Sequence, residues 1–321
     1  MKTKHSKIIS LIVPFFIGIG IIYYQYTTLS DDQVINIKNS ILKADYFYVL
    51  LSLLIAVVGF WSRAYRWKFA LAHLGYQPKF ANNFMTVCVS YLVNLTVPRS
   101  GEISRAALLK KYENIPFDKA FGTVIAERIV DMVLVLGFIG ISFLLQFDKL
   151  ASFLQDKIPF QNLIILLGIG LFLFLIFILI WLYAEWKIVL KLKQKLSGLL
   201  EGIMSVIKME HKWAYLFHSF LIWFSYLAMF YVVIFALPET ENMPFITVLM
   251  GFIFGTLAVG FTNGGLGAYP VAIAMIFSIY GISEDVSVAF GWLIWTSQTL
   301  LTIILGLISY ILLPVFNKNK A

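Results

Sequence analysis

A cluster of polar residues interrupts an apolar segment between positions 94 and 105. The polar or helix-breaking residues in this stretch are Asn94, Pro98, Arg99, Gly101, Glu102 and Arg105. A charged side chain at the centre of a membrane-spanning helix costs about 2.5–3.5 kcal/mol on insertion scales, so such residues are rare there and usually functional. The stretch therefore predicts a polar site inside a membrane, of the kind found in a transporter or an intramembrane enzyme.

The same stretch has the features of a helix start that binds anions. Pro98 has no N–H to donate, so it ends the preceding helix. Ser100 is predicted to be the N-cap of a short helix over residues 102–111. A helix N-terminus favours anions, and Arg99 and Arg105 add positive charge beside it. The pattern predicts recognition of a phosphate or carboxylate headgroup.

The alternative is that the charges of this stretch neutralise each other. Glu102 and Arg105 lie three residues apart, a spacing at which side chains on a helix meet. That pair alone would leave Asn94 and Arg99 without an explanation. The anion site is therefore the favoured interpretation.

A second group of charges, Glu127, Arg128 and Asp131, lies in the apolar span 118–146. Glu127 and Asp131 are four residues apart and share one helix face, about 14 and 20 Å from the helix start. Two carboxylates at that depth need a cationic partner or a proton. The candidate partners are Arg128, Arg99 and Arg105. The group predicts a substrate or proton site, with a structural salt-bridge cluster as the alternative.

A glycine-rich break interrupts a second apolar segment at residues 261–270. Asn263, Gly264, Gly265 and Gly267 permit positive φ and a close approach of the backbone, as in an anion-binding nest. Close helix packing through small residues is the alternative. The predicted position opposite the first break favours a binding role.

Basic residues predict contacts with the membrane surface at two further places. Arg63, Arg66 and Lys68 alternate with aromatic residues at the end of the span 46–72, a pattern typical of an interfacial anchor. The same three residues are the candidates for a cytoplasmic rim that holds anionic lipid headgroups. Residues 185–209 alternate lysine with apolar residues and predict an amphipathic helix on the inner leaflet.

The composition places the chain among integral membrane proteins. Of its 321 residues, 60% are hydrophobic and only 13% are charged, against about 25% charged in soluble domains. The single cysteine, Cys88, excludes an intrachain disulfide. The four histidines are scattered and the GxxxxGK[ST] phosphate loop is absent, so neither a metal, a cofactor nor ATP hydrolysis by that route is expected.

The apolar runs predict an all-α polytopic protein with one membrane domain, 1–321. The six candidate full spans are 8–26, 46–72, 118–146, 161–183, 213–236 and 286–313, and two interrupted segments are 81–111 and 244–281. The first span is expected to remain uncleaved. Fifteen Lys and Arg lie on one side of this arrangement and four on the other, which places both termini in the cytoplasm.

This topology predicts an inverted repeat. The first half, 46–146, holds its break at 94–105, and the second half, 213–313, holds its break at 261–270. The interrupted segments then enter the membrane from opposite sides as broken or re-entrant helical hairpins. Broken helices that meet near the midplane are typical of inverted-repeat transporters.

The motifs resemble one known family, the lysylphosphatidylglycerol synthase transmembrane region, also called the flippase-like family. They are Asn94–Pro98–Gly101–Glu102–Arg105, then Glu127–Arg128–Asp131, then Gly264–Gly265–Gly267. The resemblance covers about residues 45–313. The family's usual proline before the glycine turn and glutamate after it are replaced here by Thr262-Asn263 and Ala268-Tyr269-Pro270. A second carboxylate is therefore missing from that break.

The resemblance implies an inner-membrane protein that moves lipids between leaflets. The chain is expected to carry the flippase module alone, without the soluble synthase domain, so aminoacylation of lipids is not expected. The expected partners are membrane lipids with charged headgroups, and a homodimer or a lipid-synthesis enzyme is compatible with this prediction. No nucleic acid is expected.

Together these patterns predict a lipid translocase, driven downhill or by an ion gradient, rather than an enzyme. The predicted substrate contacts are Asn94, Arg99, Gly101, Glu102, Arg105, Glu127, Arg128, Asp131, Asn263, Gly264, Gly265 and Gly267. Three alternatives remain open. They are an ion-coupled carrier of a small soluble anion, an intramembrane lipid-modifying enzyme and a structural or regulatory subunit.

Overall fold

The computed structural model describes residues 2–97, 99–146 and 206–318. These residues form ten α-helices and two short 3₁₀ helices, with no strand among them. The α-helices are α1 (Lys2–Thr28), α2 (Asp31–Lys43), α3 (Tyr46–His73), α4 (Phe80–Thr96), α5 (Gly101–Glu113), α6 (Phe117–Leu145), α7 (Lys212–Val233), α8 (Phe245–Phe261), α9 (Ala268–Ile279) and α10 (Glu284–Phe316). The predicted all-α class is confirmed.

Three of the described helices are long and apolar enough to cross a bilayer. They are α3, the run Lys212–Ala236 that contains α7, and α10. The helices α8 and α9 are apolar but shorter than the 20 or so residues that a span needs. The count of six full spans stays a prediction. The connecting span 161–183 and all but the last four residues of the surface helix 185–209 lie outside the described residues.

Helix α2 is an element that the sequence analysis missed, because it is a polar segment between two apolar spans and was assigned to a connecting loop. Its start carries a capping box: Gln33 N–H donates to Ser30 Oγ, and the Gln33 side chain accepts from Ser30 N–H. Asn36 Nδ2 donates to Asp285 at 2.9 Å and ties α2 to the start of α10. The Ser-x-x-Gln spacing was the available signal.

Both interrupted segments fold into pairs of short helices. The first becomes α4 and α5, of 17 and 13 residues, and the second becomes α8 and α9, of 17 and 12 residues. At 1.5 Å per residue each helix is about 18–26 Å long, less than the 30 Å of a hydrocarbon core. The predicted breaks are confirmed as breaks; re-entry and the inverted repeat stay predictions.

Two large buried cores and a small third one hold the described helices together. One is centred on Phe230, Phe277 and Phe290, which join α7, α9 and α10. The other contains Trp67 and Tyr215, where α3 and α7 meet α5 and α6. The second core surrounds the charged residues of the site.

Candidate functional site

One left-handed residue and one side-chain amide shape the turn between α4 and α5. Arg99 has φ 61°, a conformation uncommon for a residue other than glycine. Ser100 occupies the predicted N-cap position, but its Oγ donates to the Val97 carbonyl at 2.6 Å and caps no amide of α5. Asn94 Oδ1 instead accepts from the Gly101 N–H at 2.7 Å. The preceding helix thus supplies the partner for the first amide of α5. The prediction that the Ser100 side chain caps this helix was wrong.

Gly101 is required by the close contact between α4 and α5. A Cβ at this position would collide with the Ser90 carbonyl and with the side chain of Asn94. Any larger residue would therefore push α5 away from α4 and stretch the bond between Asn94 and Gly101. Gly101 acts through packing and does not line the cavity described below.

Five charged side chains meet in the protein interior between α3, α5 and α6. They are Arg63, Arg66, Arg105, Glu127 and Asp131, called the buried ion cluster below, and each is at most 5% exposed. Arg105 donates to the two oxygens of Glu127 at 2.9 and 3.0 Å. Arg66 donates to the two oxygens of Asp131 at 2.6 and 3.1 Å, and Arg63 reaches Asp131 at 3.2 Å. Such two-pronged contacts are the geometry that a guanidinium favours.

Aromatic and hydroxyl groups complete the surroundings of the buried ion cluster. The Arg105 guanidinium lies over the Trp67 ring, 3.6 Å from its centroid. Trp223 Nε1 donates to Asp131 at 3.3 Å from α7. The cluster therefore links α3, α5, α6 and α7. Three arginines against two carboxylates leave it with one net positive charge.

The ion pairs of the first break differ from the sequence expectations. Arg128 donates to Glu102 at 2.5 Å, so Glu102 and Arg105 do not neutralise each other. Of the three candidate partners for the buried carboxylates, only Arg105 contacts Glu127. Arg128 and Arg99 make no ion pair with either carboxylate among the described residues.

Two of the three basic residues predicted to form a cytoplasmic headgroup rim at the end of α3 do not lie on the surface. Arg63 and Arg66 are buried in the ion cluster, and only Lys68 is exposed. Their alternation with aromatic residues matched an interfacial anchor, but both arginines point inward and lie over tyrosine rings of other helices, Arg63 over Tyr91 and Arg66 over Tyr215. Arg66 lies 5.7 Å from the Tyr215 ring centroid, for example. These two arginines are thus site residues with a different role from the one predicted.

A cavity of about 770 Å³ lies where the two helix breaks meet. Six of the predicted site residues line it: Asn94, Arg99, Glu102, Arg128, Asn263 and Gly264. Arg105, Glu127 and Asp131 belong to the buried ion cluster beside it. The sequence analysis missed Tyr91, Thr262, Trp295 and Gln298, which also line the cavity. The available signal was the presence of residues with polar groups in two apolar helices, Tyr91 in α4 and Trp295 and Gln298 in α10.

The second break closes directly on the first. Asn263 Nδ2 donates to the Leu95 carbonyl at 2.7 Å and to the Thr96 carbonyl at 3.3 Å. These carbonyls end α4 and have no partner within their own helix. Trp295 Nε1 of α10 donates to the Gly264 carbonyl at 2.8 Å and holds the break from the other side. The two breaks are therefore in direct contact, and their meeting at the membrane midplane stays a prediction.

The glycines of the second break have positive φ, as their spacing suggested. The φ angles are 62°, 82° and 70° at Gly264, Gly265 and Gly267. Gly264 lines the cavity, whereas Gly267 packs on α1, where a Cβ would lie 2.6 Å from the Gly18 carbonyl oxygen. Gly267 thus fits the close-packing alternative, and Gly264 fits a cavity wall.

A short chain of hydroxyls joins the cavity to the buried ion cluster. Tyr91 lines the cavity and its hydroxyl lies 2.9 Å from that of Tyr226. Arg63 Nη2 donates to Tyr226 at 3.3 Å. The arrangement can bind charge and hydrogen-bond a polar group. In the described ranges, no group of three His, Cys, Asp or Glu residues is placed to hold a metal ion.

Comparison with known proteins identifies the relatives of this fold. The sequence profile of the family described as "Lysylphosphatidylglycerol synthase TM region" matches residues 11–306. UPF0104 membrane protein MJ1595 of Methanocaldococcus jannaschii is 26% identical over 98% of this chain and 97% of its own length. Glycosyltransferase AglD of Haloferax volcanii is 31% identical over 30% of this chain and 16% of its own. No solved structure is significantly similar. The chain is a membrane protein that belongs to the lysylphosphatidylglycerol synthase TM region family.

Proposed function

We propose that the protein moves the polar or charged headgroup of a lipid between the two leaflets of the inner membrane. The family supports a lipid-related role of the flippase type. The observation that carries the proposal is the cavity at the two helix breaks, which is lined by Arg99 in a chain that is 60% hydrophobic. A volume of about 770 Å³ is within the range of small-ligand sites and accommodates a headgroup.

Arg99 is the residue proposed to contact the headgroup. The other four arginines are all ion-paired, but Arg99 has no ion-pair or hydrogen-bond partner among the described residues. An unpaired guanidinium beside a membrane cavity favours a phosphate, which it can bind through two parallel hydrogen bonds. The apolar side of the same cavity, including Leu95, Ile103 and Val259, would face the acyl-chain region.

The buried ion cluster would position the cavity walls and make no contact with the lipid. Arg105 and Glu127 hold α5 against α6, and Arg66 and Asp131 hold α3 against α6. In this proposal the inverted repeat, the cytoplasmic termini and a downhill or ion-coupled mechanism retain the form predicted from the sequence. Covalent chemistry is not part of it.

Leaflet exchange in proteoliposomes tests the proposal. Anionic, zwitterionic and cationic lipids with an acyl-chain fluorophore would be reconstituted with the full chain, and the outer-leaflet fraction would be followed by chemical quenching. Wild type should accelerate exchange over empty vesicles. Arg99→Ala should slow it by about tenfold or more, because a charge-assisted hydrogen bond contributes about 1.5–3 kcal/mol. Lys38→Ala, an exposed charge on α2, is the matched control.

One result would contradict lipid translocation, and a second measurement would then choose among the alternatives. Exchange equal to empty vesicles for every lipid, with and without a proton gradient, would leave no translocase activity. Uptake of soluble phosphate by the same vesicles would then identify a carrier of soluble anions. Absence of both activities would favour the structural or regulatory subunit.

A further inference from the structure

We propose that a second cavity, beside the contact between α1 and the second helix break, holds an acyl chain of a resident membrane phospholipid. The cavity has a volume of about 740 Å³ and lies between α1, α8 and α9. It shares no described lining residue with the cavity at the two breaks. The resident lipid would therefore be a different molecule from a transported one. This inference does not depend on the proposed function.

The second cavity begins where the second break packs on α1. A Cβ on Gly267 would lie 2.6 Å from the Gly18 carbonyl oxygen, and one on Gly18 would lie 2.9 Å from the Leu266 carbonyl oxygen. The two backbones therefore touch at these glycines. Beyond this contact the cavity separates α1 from α9, and it reaches from Ala268 in the first turn of α9 to Ser278 in the last. Ten residues of α-helix make this space about 15 Å long.

The walls of the second cavity are continuous helix faces. On α9 the cavity is lined by Ala268, Ala272 and Met275, and on α1 by Ile21, Gln25 and Thr28. Spacings of four and then three residues place each of these sets on one side of its helix. The alanine side chains of α9 are small, which leaves an open groove between the two helices.

The polar groups of the lining gather at one end of the second cavity. Gln25 and Thr28 lie at the end of α1. Ser278 lies in the last turn of α9, and Glu284 lies in the first turn of α10. The wall nearer the glycine contact is apolar. Met275 is 64% exposed, so the cavity opens sideways at the protein surface. A phospholipid has the same division, with hydrocarbon chains on one side of a polar ester and headgroup region.

Hydrocarbon is the occupant that the apolar part of the second cavity favours. A trapped water needs several polar partners, and apolar cavities stay dry. An empty cavity would leave the wall atoms without van der Waals contacts. Because the chain is a membrane protein, lipid hydrocarbon is present at its surface. At the polar end, the Gln25 side-chain amide has no hydrogen-bond partner among the described residues and can donate to an ester carbonyl.

These contacts give no preference for a headgroup, because the esters are common to all glycerophospholipids. Glu284 is the one charged residue among the described residues that line the second cavity. It is exposed at the mouth of the cavity, where water and salt screen its charge. The resident lipid is therefore recognised by its acyl chain and ester region.

Native mass spectrometry of the full chain, released from a mild detergent after addition of lipid, tests the site. The probes are phosphatidylglycerol, phosphatidylethanolamine and phosphatidylcholine with identical acyl chains. We expect wild type to retain a tightly bound phospholipid, and the retained fractions of the three to differ by less than about twofold. Ala272→Phe should lower the retained fraction by about fivefold or more, because the added ring fills the space between α1 and α9. Met275→Trp, at the exposed edge of the same cavity, is the second variant if Ala272→Phe does not fold.

Leu307→Phe is the matched control, because it adds the same ring to an exposed position of α10 that does not line the second cavity. Its retained fraction should equal that of wild type. Equal retention by wild type and Ala272→Phe would overturn the site, as would the absence of retained lipid from wild type. A loss of lipid caused by Arg99→Ala and not by Ala272→Phe would place the lipid in the cavity at the two breaks, and would also overturn the inference.

Leaflet exchange by the same preparations separates this inference from the proposed function. Ala272→Phe should lose the retained lipid and keep the exchange rate of wild type. Retention without exchange by wild type would support the resident lipid and contradict translocation. Exchange without retention would support translocation and contradict the resident lipid. Retained fractions that differ by more than about twofold among the three lipids would contradict recognition through the acyl chain and esters.

Discussion

The side-chain amide of Asn263 donates to the main-chain carbonyl of Leu95 at 2.7 Å and joins the two helix breaks. These residues are 168 positions apart in the sequence; Leu95 lies in the last turn of α4, and Asn263 begins the short 3₁₀ helix that follows α8. The bond gives a partner to a carbonyl at the end of α4 that has none within its own helix. The same bond joins two opposite parts of the cavity wall, because Asn263 and Leu95 both line the cavity.

The first prediction concerns this bond. Asn263→Ala should lower the free energy of unfolding by about 1 kcal/mol, because it removes the donor to two part-buried carbonyls. Asn263→Asp should cost more, because it places carboxylate oxygens against the carbonyl oxygens of Leu95 and Thr96. Thermal unfolding midpoints of the detergent-purified variants measure the effect. A stability for Asn263→Asp equal to that of wild type would show that the bond is not formed.

The second prediction concerns the cap that α4 provides for α5. Asn94→Ala removes the acceptor for the Gly101 N–H and should destabilise the protein by about 1 kcal/mol. Asn94→Asp retains an acceptor and adds a negative charge at a helix N-terminus, so its stability should stay close to that of wild type. Thermal unfolding compares the two variants. If Asn94→Asp were less stable than Asn94→Ala, the result would argue against capping by this side chain.

The third prediction separates the two interpretations of the buried ion cluster. Glu127→Gln leaves Arg105 without its counter-charge, and loss of one partner of a buried pair costs about 3–5 kcal/mol. The double variant Arg105→Met/Glu127→Leu removes both charges and should be more stable than Glu127→Gln alone. The measurements are unfolding midpoint and leaflet exchange on the same preparations.

The rate of lipid leaflet exchange by the double variant decides the role of the Arg105–Glu127 pair. If the pair only positions α5 against α6, the double variant should keep measurable exchange once its stability is sufficient for reconstitution. Complete loss of exchange in a stably folded double variant would instead favour a substrate or proton site. A double variant less stable than the single one would contradict the expected coupling.

The sequence predicted both breaks and the described apolar helices, though not the polar helix α2, because the signals of apolar helices and breaks are local. Glycine, proline and charged residues within apolar runs mark a break wherever they occur. The predicted spans 46–72 and 286–313 correspond to α3 (Tyr46–His73) and α10 (Glu284–Phe316). The hydrogen bond from Asn263 to Leu95 was beyond such reasoning, since it depends on how distant helices cross.

The burial of Arg63 and Arg66 shows how a local pattern misled. The aromatic residues beside them indicated an interface, whereas the spacing along α3 indicated a packed face. Small buried residues recur on the same face as the two arginines, at Ser52, Ala56, Gly59 and Ala70. A stripe of small residues is typical of close helix contact in membranes, so charges on it are expected to be buried. The ion partners on α6 still required the three-dimensional packing.

The last prediction compares a buried glycine at the start of α5 with an exposed glycine inside α6. Gly101→Ala should destabilise the protein by about 1–3 kcal/mol, because the added methyl group overlaps the Ser90 carbonyl and the side chain of Asn94. Gly122 lies within α6 with open space where a Cβ would be, and Gly122→Ala should stabilise by about 0.5–1 kcal/mol through helix propensity. Unfolding midpoints under one detergent condition measure both. If both substitutions stabilise the protein, the contact between α4 and α5 must be looser than this packing implies, and Gly101 would not be needed to hold the first break closed.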